Sequence, residues 1–123
     1  MSGPRSGLLR NWLYQEVEIP NASSLSSSAM IAGRPITSLI MPSAWTVASL
    51  SFMVSGCPGG EFFNLLDGDG IEVSVMASAS VAISASKMDN LSAWYGVKLR
   101  SGSLAAEKVD QGAARTLIVF SEG

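Results

Sequence analysis

Apolar and polar positions alternate along most of this chain, the period of a strand with one face in a core and one in water. The cleanest case lies at residues 49–55, where Leu50, Phe52 and Val54 alternate with Ser49, Ser51, Met53 and Ser55. Gln15, Val17 and Ile19 alternate with Tyr14, Glu16 and Glu18, and Ile71, Val73 and Val75 alternate with Glu72, Ser74 and Met76. Tyr95, Val97 and Leu99 make a fourth such set with Lys98 and Arg100. Residues 116–120 differ, running largely apolar without a break. That pattern predicts a strand buried on both sides, or one placed at an oligomer contact. Stretches at 29–31, 36–41, 62–65 and 81–83 are weaker strand candidates.

Turn chemistry separates these runs: residues 21–24, 33–35, 56–60, 67–70, 101–103 and 111–112 are rich in Gly, Pro, Asn, Asp and Ser. Only 87–93 and 104–109 could form short helical turns, and no repeat of fixed period is present. Many short strands between closely spaced turns predict an all-β fold, a two-sheet antiparallel β-sandwich of jelly-roll type. Val17, Leu50, Phe52, Val54, Val73, Val97, Leu99 and Leu117 are its predicted core.

The first thirteen residues read differently, with Arg5 and Arg10 beside Leu8, Leu9, Trp12 and Leu13. The expected organisation is an extended N-terminal arm over 1–13 and a sandwich domain over 14–123. Arm residues of this kind either fold back on their own domain or pack on a neighbouring subunit, because a bulky apolar cluster is costly to leave in water. The second reading makes Arg5, Leu8, Leu9, Arg10, Trp12 and Leu13 the candidate interface. The arm carries two positive charges, whereas the remainder, with ten acidic and six basic residues, carries a net −4.

Composition narrows the possible chemistry. A chain of 123 residues, 47% hydrophobic, is one domain with enough apolar side chains for a core. Charged residues make up 15%, and 21 serines occupy many of the remaining polar positions. Such a weakly charged polar surface suits an assembly component. The scattered basic residues and the net charge of −2 argue against direct nucleic-acid binding. Residues 35–60 carry no charge, but their prolines, glycines and alternating pattern read as strands and not as a membrane span.

There is no histidine and a single cysteine, Cys57. The commonest general base, the Ser-His and Cys-His nucleophile pairs and the usual zinc sites are therefore out of reach. No catalytic, cofactor-binding or metal-binding residue is expected, and no cofactor. The Asp67-Gly68-Asp69-Gly70 segment has the composition of a calcium loop but lies between two strand-like runs, where Asp-Gly makes a hairpin turn. Trp45, Trp94 and Tyr95 could form an aromatic platform for a sugar, although aromatics in sandwiches are more often core. Arg100 and Arg115, each flanking a strand, read as ion pairs or backbone ties at a sandwich end, or else as interface anchors.

Four segments in order resemble small virion proteins of tailed phages and prophages. They are residues 41–55 (opening Met41-Pro42-Ser43-Ala44-Trp45), 62–75 (with Asp67-Gly68-Asp69-Gly70), 95–102 and 109–119. The resemblance covers about residues 40–120. It implies a non-enzymatic virion structural protein, a capsid decoration or cement protein of jelly-roll fold that binds and stabilises the capsid lattice. It also implies the major capsid protein or other virion proteins as partners, a homo-oligomer, the virion capsid surface as location, and synthesis in the host cytoplasm. Residues 56–60 depart from the pattern, standing where an Asp-Gly turn is usual, so no loop function carries over. A looser similarity to galactose-binding-like jelly rolls keeps open a carbohydrate-binding module on a virion; a neck or tail component is the other alternative.

Overall fold

The computed structural model describes residues 6–9, 12–84, 91, 94–103 and 108–122, with residues 6–9 and 12 as backbone. Ten strands are described: β1 Ser6–Leu9, β2 Trp12–Ile19, β3 Leu25–Met30, β4 Ile36–Ile40, β5 Leu50–Ser55, β6 Phe63–Asn64, β7 Ser74–Val75, β8 Ala82–Ser84, β9 Gly96–Ser101 and β10 Arg115–Glu122. All pairings between them are antiparallel.

Sheet A runs β1-β2-β10-β4-β8, and sheet B runs β3-β9-β5-β6, with β7 also paired to β5. Thus β2 pairs with β10, β3 with β9, β4 with β8, and β5 with β6 and β7. From β2 to β5 successive strands alternate between sheets, and each finds its partner later in the chain in reverse order. That is one long hairpin rolled over on itself, the jelly-roll arrangement.

Inward positions from both sheets fill the space between them. Ile19, Leu39 and Leu117 from sheet A meet Leu50, Phe52, Val97 and Leu99 from sheet B, each with no exposed surface. All eight predicted core residues are buried, Val73 being the most exposed of them at 7%. Each such side chain contributes about 1.5–3 kcal/mol by leaving water. The uncharged stretch at 35–60 supplies β4 and β5, as the alternation predicts.

Two departures from the sequence reading have clear causes. In the segment expected as an arm, Ser6–Leu9 is an edge strand, and Trp12 and Leu13 already belong to β2. The boundary drawn after residue 13 therefore falls inside a strand. Pairing explains this: the alternation of β2 begins at Trp12, and Leu9 lies directly opposite it across a two-residue connection.

The strands expected at 62–65 and 71–75 shrink to Phe63–Asn64 and Ser74–Val75. Between them the chain makes its own small hairpin: Leu66 bridges Glu72, and the Val73 N–H donates to Leu65 O at 3.2 Å. These backbone groups satisfy each other locally and leave the edge of β5. The helical turns expected at 87–93 and 104–109 lie mostly outside the described residues. Leu91 is fully buried and its carbonyl accepts from Trp94 N–H, and Lys108 bridges Gly102.

Candidate functional site

Of the N-terminal candidates, Leu8, Leu9, Trp12 and Leu13 lie at one corner of sheet A. Leu8 is opposite Leu13 and Leu9 opposite Trp12, while across β2 Trp12 and Leu13 pair with Glu122 and Ser121 of β10. Leu13 is half-buried. Arg5 and Arg10 lie outside the described residues.

Over β5 and β9 the outer face of sheet B is covered by its own chain, while on β3 Ser28 and Met30 stay exposed. Register aligns the outward positions of β5 and β9 as Ser51 with Arg100, Met53 with Lys98 and Ser55 with Gly96. Ser51, Ser55, Gly96 and Arg100 are nevertheless buried. The connection from β5 to β7 folds over them. Phe62 lies against Gly96, where an added Cβ would come within 3.3 Å of the ring, and the Lys98 ammonium stands 4.7 Å from the ring centroid. The Arg100 guanidinium donates to Ser51 Oγ at 2.8 Å, Asn64 Oδ1 at 2.5 Å and Glu72 Oε2 at 2.6 Å. Arg100 is therefore an ion pair and a tie for the 62–72 segment, the structural alternative weighed for it in the sequence.

Arg115 takes part in a second clasp, centred on Gln111, which is 1% exposed. The Gln111 amide accepts from Thr46 N–H at 2.8 Å and from Arg115 Nε at 3.1 Å, and donates to Thr46 O at 3.0 Å. Its backbone bonds to Ala22 and Ser23, so three connections are fastened at one end of the sandwich. A third amide, Gln15, bonds both backbone groups of Met30 and so joins β2 to β3 across the two sheets. Nothing in the local sequence distinguishes Gln111 from a solvated glutamine, and only the register of Gln15 with Val17 and Ile19 sets it apart, because the partners of both are distant in the chain.

The aromatic residues do not form a common platform. Trp45 is buried before the start of β5 and donates its Nε1–H to Ala48 O, whereas Tyr95 N–H bonds Ser55 O at the far end of that strand. Trp94 packs against the core. A groove of about 370 Å³ does run beside Tyr95, lined by Met30, Ser28, Cys57, Phe62 and Gly96, with the Tyr95 hydroxyl donating to Met30 Sδ. A second groove of about 590 Å³ opens between β7 and β8, lined by Val75, Met76, Val81 and Ile83.

The Asp67–Gly70 segment is a hairpin turn. Gly70 N–H donates to Asp67 O, Gly70 has φ +78°, and Asp67 Oδ1 accepts from both Asp69 and Ile71 N–H. Among the described residues, no three His, Cys, Asp or Glu side chains gather where a metal ion could be held.

The outer face of sheet A has the opposite character to that of sheet B. Register sets Tyr14 beside Phe120 and Phe120 beside Ser38, with Ser84 at the edge. The next row is Glu16, Ile118, Ile40 and Ala82, and beyond it lie Glu18 and Thr116. Tyr14, Phe120, Ile118 and Ile40 thus make a continuous apolar strip over three strands, all half-buried, with the Tyr14 and Phe120 rings 6.3 Å apart. Glu16, Glu18 and Glu122 border the strip, and no lysine or arginine occupies an outward position of this face among the described residues.

Fold and surface together define a jelly-roll sandwich whose buried polar groups tie the fold together and whose accessible character lies in its faces and grooves. The chain matches no family model and no curated protein. Among solved structures it is similar to the SPBc2 prophage-derived protein YomS, with a TM-score of 0.50 and 10% sequence identity. The superposition covers 95% of this chain and 99% of that one. At this identity the likeness is one of fold.

Proposed function

We propose that this chain is a non-enzymatic virion structural protein of a tailed phage or prophage, and within the virion a capsid decoration (cement) protein. The observation that carries the proposal is the end-to-end likeness in fold to a prophage-derived protein, which leaves almost no part of either chain outside the superposition. The four ordered segments that resemble phage virion proteins point the same way.

The structure also suits a clamp. Arg100, Gln111 and Gln15, which would be candidates for binding or chemistry, are spent on fastening the chain to itself. The protein is made in the host cytoplasm and acts on the capsid surface, with the major capsid protein or another virion protein as its partner. It acts in several copies, so that modest contacts add up by avidity.

The test is to purify virions of the phage or prophage that encodes the chain, locate it by labelled antibody in electron micrographs, and count copies by quantitative mass spectrometry. Dense labelling of the head, together with a lower disruption temperature for heads lacking the protein, is the expected result. Labelling confined to the neck or tail would move the assignment there. Absence from purified virions would refute a structural role.

A further inference from the structure

The two outer faces of the sandwich are not equivalent. On sheet B the outward Ser51, Ser55, Gly96 and Arg100 of β5 and β9 are buried beneath residues 62–72 of the same chain, while Ser28 and Met30 of edge strand β3 stay exposed. Sheet A turns Tyr14, Ile40, Ile118 and Phe120 outward in one connected strip that keeps part of its surface in water. An antiparallel sheet with one solvated face should alternate apolar inside with polar outside. β10 breaks that rule, since Leu117 and Val119 fill the core while Ile118 and Phe120 point the other way. The break is not confined to one strand, because Tyr14 and Ile40 are the register neighbours of Phe120 and Ile118.

Charge decides what kind of surface completes this face. Glu16, Glu18 and Glu122 border the strip without a compensating cation in any outward described position. Two copies joined face to face would set carboxylates of one sign against each other, which costs affinity and selects against self-pairing. A partner surface that is apolar at its centre and ringed by lysine and arginine would satisfy both features, the strip by burial and the glutamates by charge pairing.

We propose that the outer face of sheet A, through Tyr14, Ile40, Ile118 and Phe120 with Glu16, Glu18 and Glu122 at its border, is the docking surface for a different protein bearing an apolar, basic-rimmed patch. On the reading given above, from which this follows, that protein belongs to the virion lattice.

Intact virions are treated with a carbodiimide, which joins carboxylates to lysine amines only where they already touch, and the cross-linked peptides are sequenced. The expected products link Glu16, Glu18 or Glu122 to lysines of another virion protein. In parallel, Glu18→Lys/Glu122→Lys and Ile118→Ser variants of the full chain are added to heads lacking the protein, after their melting curves confirm folding. Each is expected to bind at least tenfold more weakly than the unmodified chain, whose own binding should weaken as salt rises. Lys98→Glu, on the covered face, should bind normally.

Cross-links from these glutamates to Lys98 or Lys108 of a second copy would overturn the choice of partner. If the chain sits in the virion but these carboxylates form no cross-link and folded face variants bind as before, the face is wrong while the virion role stands. If the chain is absent from virions, the virion role fails and takes this docking surface with it.

Discussion

The carboxylate of Glu72 meets the guanidinium of Arg100 at 2.6 Å, with the two side chains only 14% and 3% exposed. The pair lies on the outer side of sheet B, where a charge would ordinarily be in water. Glu72 closes the small hairpin that begins at Leu65, and Arg100 is in β9, so one contact holds a long connection against the sheet. Ser51 passes the network on, accepting from Arg100 and donating to Gly102 O at 2.9 Å.

Removing one partner should therefore cost far more than removing both. Glu72→Ala leaves the Arg100 charge buried with only neutral acceptors, and breaking a buried pair in this way costs about 3–5 kcal/mol. An Arg100→Met/Glu72→Leu double variant, which leaves no charge behind, should recover most of that loss. Urea denaturation of the two single variants and the double variant checks this. Near-additive losses would mean that the pair is solvated and contributes little.

Phe52 is fully buried in β5 between the sheets. Phe52→Ala should destabilise the protein by about 3–5 kcal/mol, through lost burial and the cavity that remains. A loss below about 1 kcal/mol would mean that β5 is shifted by one residue, which would turn Ser51 and Met53 inward instead.

The strands were readable where only one face joins the apolar core, which forces a period of two in polarity even where, as on β5 and β9, the outer face is buried too. β5 and β9 alternate because their outward residues must differ chemically from their inward ones, and the core residues followed directly. Residues 62–75 misled the same rule, since Ile71 and Val73 alternate yet pair with their own hairpin instead of extending a sheet strand. Local pattern cannot tell which edge an alternating segment will bond to. The candidate surface was half legible: the largely apolar run at 116–120 marked β10 as buried on both sides or placed at an oligomer contact, but Tyr14 and Ile40 joined it only once register was known. Gln111 gave no signal and Gln15 only its place in register with Val17 and Ile19, because an amide bonded to backbone far away in the chain looks like any polar residue.

Ala22 occupies a position that suits glycine. Its φ is +61°, the left-handed region, at the third residue of a turn closed by the Ser23 N–H to Pro20 O bond. A side chain there costs about 1–2 kcal/mol, part of which glycine returns to the unfolded chain as freedom. Ala22→Gly should raise stability by up to about 1 kcal/mol, seen as a melting temperature higher by a few degrees. A lower melting temperature would show that the turn is not strained.

Gln111 should be hard to replace. Gln111→Leu keeps similar bulk but strips the Thr46 N–H and Arg115 Nε of their acceptor. Burying such donors unpaired costs about 1–3 kcal/mol. Faster hydrogen exchange at the Thr46 amide, with the amides of β5 unchanged, would show that the damage is local to this end of the sandwich.

The last prediction concerns the Asp67–Gly70 turn, whose composition suggests calcium and whose geometry does not. One oxygen of Asp67 already accepts from two backbone N–H groups, Asp69 at 2.8 Å and Ile71 at 3.0 Å. A calcium ion needs six to eight oxygen ligands gathered around one point, and this side chain instead points into its own turn. Asp67→Ala should then destabilise the hairpin by about 1 kcal/mol, as loss of a capping side chain does elsewhere. Millimolar calcium should leave the melting temperature of the unmodified protein where it was, since a ligand that bound the native state would raise it by mass action. A rise of several degrees that disappears in Asp69→Asn would mean that the turn opens to hold the ion, and that the bonds made by Asp67 are only its resting arrangement.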